Sequence, residues 1–171
     1  ASDYAAVTAT TEAGQKRASA FVPVNFKVTD HTVVPVSSVE LNQAELAFEV
    51  VRTLEGDRKN PKESFSVTPS VRLYENITPE YADNKEVTWS VGDEDMLRVD
   101  GEGMVSVKED ARWIADLIQA EKTANQENPY AQSQAAGNRS SYVTVTTKDG
   151  EKQAVCAVNI SFRTEDHTVV H

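Results

Sequence analysis

The chain has 171 residues, of which 39% are hydrophobic and 26% are charged, and its formal net charge is −10. This length is sufficient for one domain with a real core. The negative charge argues against nucleic acid and anionic membrane surfaces as partners, because their phosphates would repel the protein. No apolar run approaches the roughly 20 residues that cross a bilayer, so we predict no direct membrane insertion.

A stretch near the start of the chain occurs again near its end. Residues 7–34 and residues 143–170 align without a gap at an offset of 136 positions, and 14 of the 28 aligned residues are identical. A copy at a fixed offset is typical of repeat architectures. We therefore predict that residues 1–35 are the C-terminal β-hairpin of a preceding repeat plus a linker. Residues 36–171 would form one full domain.

Each copy predicts a β-hairpin. In the second copy, Val143 and Val145 alternate with threonines, which favour strands, and Asp149-Gly150 predicts the turn. The return strand then alternates apolar and polar residues, which predicts that one of its faces is buried. The apolar face consists of Ala154, Cys156, Val158, Ile160 and Phe162 in the second copy, and of Ala18, Ala20, Val22, Val24 and Phe26 in the first. We expect the first hairpin to be exposed unless it docks on the second domain or on another molecule, because its partner strands are not in this chain.

The residues between the two copies predict more short strands. The charged stretch Arg52–Glu63 contains Gly56 and Asn60-Pro61, which predicts a loop. Glu75 falls on the apolar face of its strand, so it is paired, displaced by a bulge, or evidence of a register one residue different. Alternating apolar residues place the strands within Val39–Val50, Phe65–Ile77, Val87–Val91 and Leu97–Val107.

One segment has helical rather than strand periodicity. Residues 109–123 contain good helix formers and no Gly or Pro, and their apolar residues form a stripe at helical spacing. Glu109 and Asp110 at the start and Lys122 near the end are expected to complement the helix dipole. Asn125–Ser140 lacks periodicity and predicts a loop. The stripe consists of Trp113, Ile114, Leu117 and Ile118.

A series of short motifs resembles the group 2 bacterial immunoglobulin-like domain, and the match spans residues 36–162. The motifs are Thr78-Pro79, the Val-Thr-Trp-Ser run Val87–Ser90, the acidic turn Asp93-Glu94, the Gly-Met-Val strand Gly103–Val105 and a last strand that carries Cys156. The resemblance implies an all-β fold, an immunoglobulin-like antiparallel β-sandwich with one inserted α-helix. The segments near 50–66 and 108–140 would be insertions into that frame.

The resemblance also implies a role. Domains of this family occur in tandem in secreted and surface-anchored bacterial proteins, as spacers or binding modules without a family-wide catalytic site. We expect a non-catalytic, extracellular structural or adhesive module at a bacterial cell surface, without cofactor or bound metal. Its partners would be neighbouring immunoglobulin-like repeats and a host or surface protein or glycan. The alternatives are a carbohydrate-binding or spacer module of a secreted glycan-degrading enzyme, and a virion or filament assembly subunit that uses the N-terminal hairpin.

The candidate contact residues are aromatic. Tyr81 and Tyr130 lie in predicted loops and suit contacts with carbohydrate or protein. Trp113 could line a groove for a ligand or partner, or could pack on the edge of the sandwich. Cys156 is expected to be a small buried hydrophobe rather than a reactive thiol.

The histidines of the repeat and a set of acidic residues each have a chemical and a structural interpretation. His31 and His167 occupy the same repeat position, where each could cap, orient a junction or bind a metal. The acidic residues could hold calcium or belong to an acidic surface. No motif places a nucleophile beside a histidine and an acid, so an enzyme is not expected. The acidic residues are Asp93, Glu94, Asp95, Asp100 and Glu102.

Overall fold

The computed structural model describes residues 3–24, 32–128 and 133–169. The chain divides into two compact units, residues 1–33 and residues 34–171. The first unit is a hairpin of β1 (Asp3–Thr10) and β2 (Arg17–Val24), which pair antiparallel. Every side chain of β2 is exposed. Phe26 of the predicted apolar face lies outside the described residues.

The second unit is mostly β-strand with one helix. Its strands form a five-stranded sheet in the order β5-β4-β12-β11-β8, a three-stranded sheet in the order β6-β10-β9, and the pair β3-β7. The elements are β3 (Ser38–Leu41), β4 (Glu45–Asp57), β5 (Lys62–Val67), β6 (Val71–Arg72), β7 (Glu75–Thr78), β8 (Val87–Val91), β9 (Leu97–Val99), β10 (Met104–Val107), α1 (Arg112–Glu127), β11 (Ala136–Thr147) and β12 (Gln153–Val169).

One pairing departs from the predicted antiparallel arrangement. β4 lies beside β12 in parallel, from Glu45 opposite Ala157 to Asp57 opposite Val169. The other strand pairs of the described chain are antiparallel. Alternation determines which face of a strand is buried but not the direction of its neighbour. The apolar pattern therefore could not reveal the mixed sheet.

The predicted buried face of β12 is confirmed. Cys156 and Val158 are 0% exposed, Ile160 is 1% and Phe162 is 2% exposed, while Ala154 is half-buried against a smaller cluster. The same core contains residues of the facing strands and of the helix, so the β-rich, sandwich-like architecture is confirmed. Those further residues are Leu73, Leu97, Val105, Trp113 and Ile114.

The loop predicted over Arg52–Glu63 is wrong. β4 continues to Asp57 and β5 begins at Lys62, so the segment is a β-hairpin with a short turn. Arg52 takes an inward position between Val50 and Leu54, and all three are buried. An arginine is rarely buried unless carboxylates pair with it, so the sequence alone predicts an exposed Arg52. The alternation of inward and outward residues was therefore missed.

A break in the strand explains Glu75. β6 ends at Arg72 and β7 begins at Glu75, and the Glu75 side chain is exposed. Asn42 holds the break: its Oδ1 accepts a hydrogen bond from the Tyr74 N–H at 2.8 Å, and its own N–H donates to the Tyr74 carbonyl at 3.0 Å. Of the sequence alternatives, local displacement of the residue is the one observed.

The helix forms, but its ends differ from the prediction. Glu109 and Asp110 precede its first residue, and neither end carries the predicted compensating charge. Instead, Asp95 of the preceding acidic turn accepts a hydrogen bond from the Arg112 N–H at 2.8 Å, which places a carboxylate at the positive end of the helix. Within the described part of the chain, no helix is long and apolar enough to cross a membrane.

The loop predicted over Asn125–Ser140 is also corrected. The helix continues to Glu127, and β11 already begins at Ala136. Residues 133–135 lead into β11, and the ladder with β12 extends to Ala136 opposite Arg163. Small and polar residues form this part of β11, so it lacks the apolar signal of a strand.

The two hairpins offer a matched test of burial. Val158 is 0% exposed, whereas its repeat equivalent Val22 is 47% exposed. Val158→Ala should lower the free energy of unfolding by about 2–3 kcal/mol, because it removes buried methyl groups and leaves a cavity. Val22→Ala should change it by about 0.5 kcal/mol or less. Urea unfolding measures both, and equal losses would contradict the assigned buried face.

Candidate functional site

Of the three residues predicted to contact a ligand, the structure describes Tyr81 and Trp113, and it places the first at the surface and the second in the core. Tyr81 is 76% exposed in the turn after β7. Trp113 is only 8% exposed: its ring meets Phe162 edge-on at 6.2 Å, and the Arg139 guanidinium lies 5.7 Å from it. Trp113 therefore packs in the core, as the structural alternative expected. Tyr130 lies outside the described residues.

The acidic turns bind the protein's own backbone. Asp93 accepts a hydrogen bond from the Asp95 N–H, and one Asp100 oxygen accepts from the N–H groups of Glu102 and Met104 at 2.9 Å each. These bonds lower the pKa of Asp100. Among the described residues, no group of three or more acidic, histidine or cysteine side chains could hold a metal ion.

Of the two repeat-related histidines, only His167 is described. It is exposed on β12, and its Nε2 lies 3.6 Å from a Glu165 oxygen. The neighbouring Asp166 accepts a hydrogen bond from the Thr168 N–H at 2.9 Å, so this local contact at the repeat position is made by Asp166. His31 lies outside the described residues.

A buried ion pair that the sequence did not reveal lies between β4 and α1. Arg52 is 3% exposed and Glu121 is 9% exposed. The Arg52 Nη1 donates to both Glu121 carboxylate oxygens at 3.0 Å, and the Arg52 Nε donates to Glu63 on β5. The guanidinium therefore joins the β4–β5 hairpin to the helix.

The same ion pair also anchors the start of β11. The Ala135 N–H donates to Glu121 Oε2 at 2.6 Å, and the Thr164 hydroxyl of β12 donates to the Ala135 carbonyl at 3.0 Å. Four segments thus meet at one buried polar cluster. One sequence signal could have predicted this cluster. Arg52 lies between Val50 and Leu54 in the alternation, so a charged residue occupies an inward position of an apolar strand face.

The cluster forms the floor of a cleft of about 520 Å³. Its walls are the β4–β5 turn, the C-terminal half of α1, the residues before β11 and the end of β12. The lining combines cationic, carboxylate, amide and hydroxyl side chains with two apolar residues, Leu54 and Pro61. A concave site with convergent polar groups is the usual form of a small-molecule site. We therefore take this cleft as the candidate functional site.

Comparison with known proteins yields no relative: no family model matches the chain, and no curated protein matches it significantly. The resemblance to group 2 bacterial immunoglobulin-like domains stays a proposal, which is taken up below.

Removal of Glu121 tests the energetic weight of the buried pair. Glu121→Ala should destabilise the protein by about 3–5 kcal/mol, because it leaves the Arg52 charge buried without its main partner. The matched control is Glu49→Ala, which breaks the exposed pair of Glu49 with Arg163 and should cost about 1 kcal/mol or less. Urea unfolding of both variants measures the difference. Similar losses in the free energy of unfolding would show that the buried pair stabilises the protein no more than an exposed pair does.

Cys156 offers a test of burial by reactivity. Burial, with the nearby negative charge of Glu45, raises the pKa of the Cys156 thiol. The thiol should therefore resist iodoacetamide in the folded protein and react fully in denaturant, as measured by intact mass. Rapid alkylation of the folded chain would contradict the buried position.

Proposed function

We propose that this chain is a non-catalytic structural and adhesive module from a tandem array of bacterial immunoglobulin-like units, located at the cell surface or secreted. The observation that carries the proposal is the equivalence of the two hairpins. Val7 pairs with Ala20 in the first, and Val143 pairs with Cys156 in the second. Both partners are shifted by the same 136 positions, so the sequence repeat is a structural repeat in identical register.

The turns of the two hairpins agree in detail. Gly14 and Gly150 have φ of +84° and +72°, and the residue after each has φ of +49°. The N–H of the residue that opens each turn donates across it, from Thr11 to Lys16 at 3.0 Å and from Thr147 to Lys152 at 2.9 Å. The hydroxyls of both threonines also donate to a backbone carbonyl two residues on. These contacts support a unit used more than once along the chain.

The strand order supports the immunoglobulin-like assignment. If β6 and β7 are one interrupted strand, the facing sheets read β3-β6/β7-β10-β9 and β8-β11-β12. Immunoglobulin constant-type domains have strands A-B-E-D in one sheet and C-F-G in the other. The seven strands fall into that order when β3 is strand A and β12 is strand G. β4, β5 and α1 are then additions to the frame.

The parallel β4–β12 ladder suits a spacer under tension. The chain enters the second unit near Val34, ahead of β4, and leaves it at the end of β12. Tension between those points pulls parallel neighbours in opposite directions along their length. The hydrogen bonds of the ladder are then sheared together rather than opened one at a time.

Single-molecule force spectroscopy tests the structural role. Attachment at the two chain ends shears the ladder, whereas attachment at Lys59→Cys and the C-terminus opens it from one end, because Asp57 lies opposite Val169. The rupture force should be clearly higher in the first geometry at the same loading rate. Equal forces in the two geometries would remove the mechanical argument for a spacer.

The exposed hairpin supports the assembly subunit as a second candidate role. Among the described residues, β1 and β2 form a sheet of two strands, and Phe21 is 72% exposed. Unpaired strand edges can accept another strand. This role requires oligomers that increase with concentration and disappear when residues 1–30 are deleted, as sedimentation would measure. A monomer at all concentrations excludes it.

The adhesive part of the proposal has its own readout. Tyr81 is the exposed aromatic candidate for contact with a host or surface protein or glycan. Beads coated with the protein should bind target cells or arrayed glycans, and Tyr81→Ser should weaken that binding several-fold. Tyr74→Ser, at another exposed tyrosine of the second unit, is the control. Equal binding by wild type and Tyr81→Ser would exclude Tyr81 as a contact.

A further inference from the structure

The cleft above the Arg52–Glu121 pair has a charge opposite to that of the whole protein. Four cationic side chains line it, Arg52, Arg58, Lys59 and Lys122, against the two carboxylates of Glu121 and Asp166. Glu63, which also pairs with Arg52, adds a third carboxylate. Four positive minus three negative charges leave a local balance of +1, whereas the chain as a whole carries −10. Such a local inversion of charge concentrates anions.

The two lysines supply the positive charge available to a ligand. Arg52 is committed to Glu121 and Glu63. Lys59 and Lys122, in contrast, form no ion pair with any residue in the described ranges, and both side chains are exposed. Each ammonium can donate three hydrogen bonds to an acidic group.

The rest of the lining suits hydroxyl groups rather than a bare anion. Gln126 and Gln134 present amides, and Ser133 and Thr168 present hydroxyls. Amides and hydroxyls both donate and accept, so they match the hydroxyls of a sugar. Leu54 and Pro61 add apolar surface for the C–H face of a sugar ring. A volume of about 520 Å³ lies within the roughly 300–1,000 Å³ of small-molecule sites.

From these observations we infer that the cleft binds an acidic saccharide unit, with its carboxylate at Lys59 and Lys122 and its hydroxyls at the amide and hydroxyl walls. The buried ion pair keeps the floor rigid, because it fixes β4, α1, Ala135 and β12 relative to one another. The site is separate from Tyr81, and the inference does not depend on the repeat or on the mechanical role.

The test is an NMR titration of the full chain with sodium D-glucuronate, followed through backbone amide shifts. Saturable shifts are expected for residues 58–60, 122–126 and 164–168. D-glucose tests the need for the carboxylate, and inorganic phosphate tests the need for the sugar. Both are expected to bind at least tenfold more weakly than glucuronate.

Two charge-reversal variants complete the experiment. Lys122→Glu should weaken glucuronate binding about tenfold or more, because it replaces a charge-assisted contact with a repulsive one. Lys152→Glu makes the same charge change in the exposed β11–β12 turn, at the opposite end of β12, and should leave the affinity unchanged.

Three results would overturn the inference: no saturable shifts with glucuronate, equal affinity for glucose or phosphate, or unchanged affinity in Lys122→Glu. A spectrum of Lys122→Glu that retains the wild-type dispersion separates lost binding from lost folding.

Discussion

The second unit depends on one strand that is hydrogen-bonded along both edges. β12 pairs with β11 on one side and β4 on the other, while its inward side chains from Cys156 to Phe162 are at most 2% exposed. Its backbone groups are thereby satisfied by neighbours, and its apolar side chains meet the facing strands and the helix. The outer strands β5 and β8 pair with β4 and β11, so their positions in the sheet depend on β12.

The buried Arg52–Glu121 pair shows how additions to a sandwich become part of it. Desolvation of two charges costs free energy that the pair regains only when its remaining hydrogen-bonding groups are satisfied. Glu63, Ala135 and Thr164 provide these contacts or support them. Each belongs to a different segment, so the β4–β5 extension and the helix are held by a polar cluster rather than by apolar contact alone. Because Arg52, Glu121 and Thr164 also line the cleft, the same contacts fix the positions of the segments that form it.

The sequence predicted the features that depend on local pattern. Alternation located the hairpin strands and the buried face of β12, and helical spacing located α1. Sequence-based prediction failed where the local structure depends on contacts with residues far away in the chain. Glu121 binds both Arg52 and the Ala135 N–H from a distant helix. The first N–H of that helix donates to Asp95 rather than to an adjacent acid. The candidate cleft was missed for the same reason, since its lining comes from four separated segments.

The matching register and turn geometry of the two hairpins carry a risk of misassembly, because homologous elements in one chain can exchange places. Differences in side-chain size at equivalent positions reduce that risk. Where the second hairpin fills the core with larger side chains, the first has smaller ones, so an exchanged hairpin would leave cavities and cost several kcal/mol in total. Shared backbone geometry with different side chains at these positions therefore disfavours the first hairpin in the core of the second unit. The size differences are Ala9 against Val145, Ala20 against Cys156, and Val24 against Ile160.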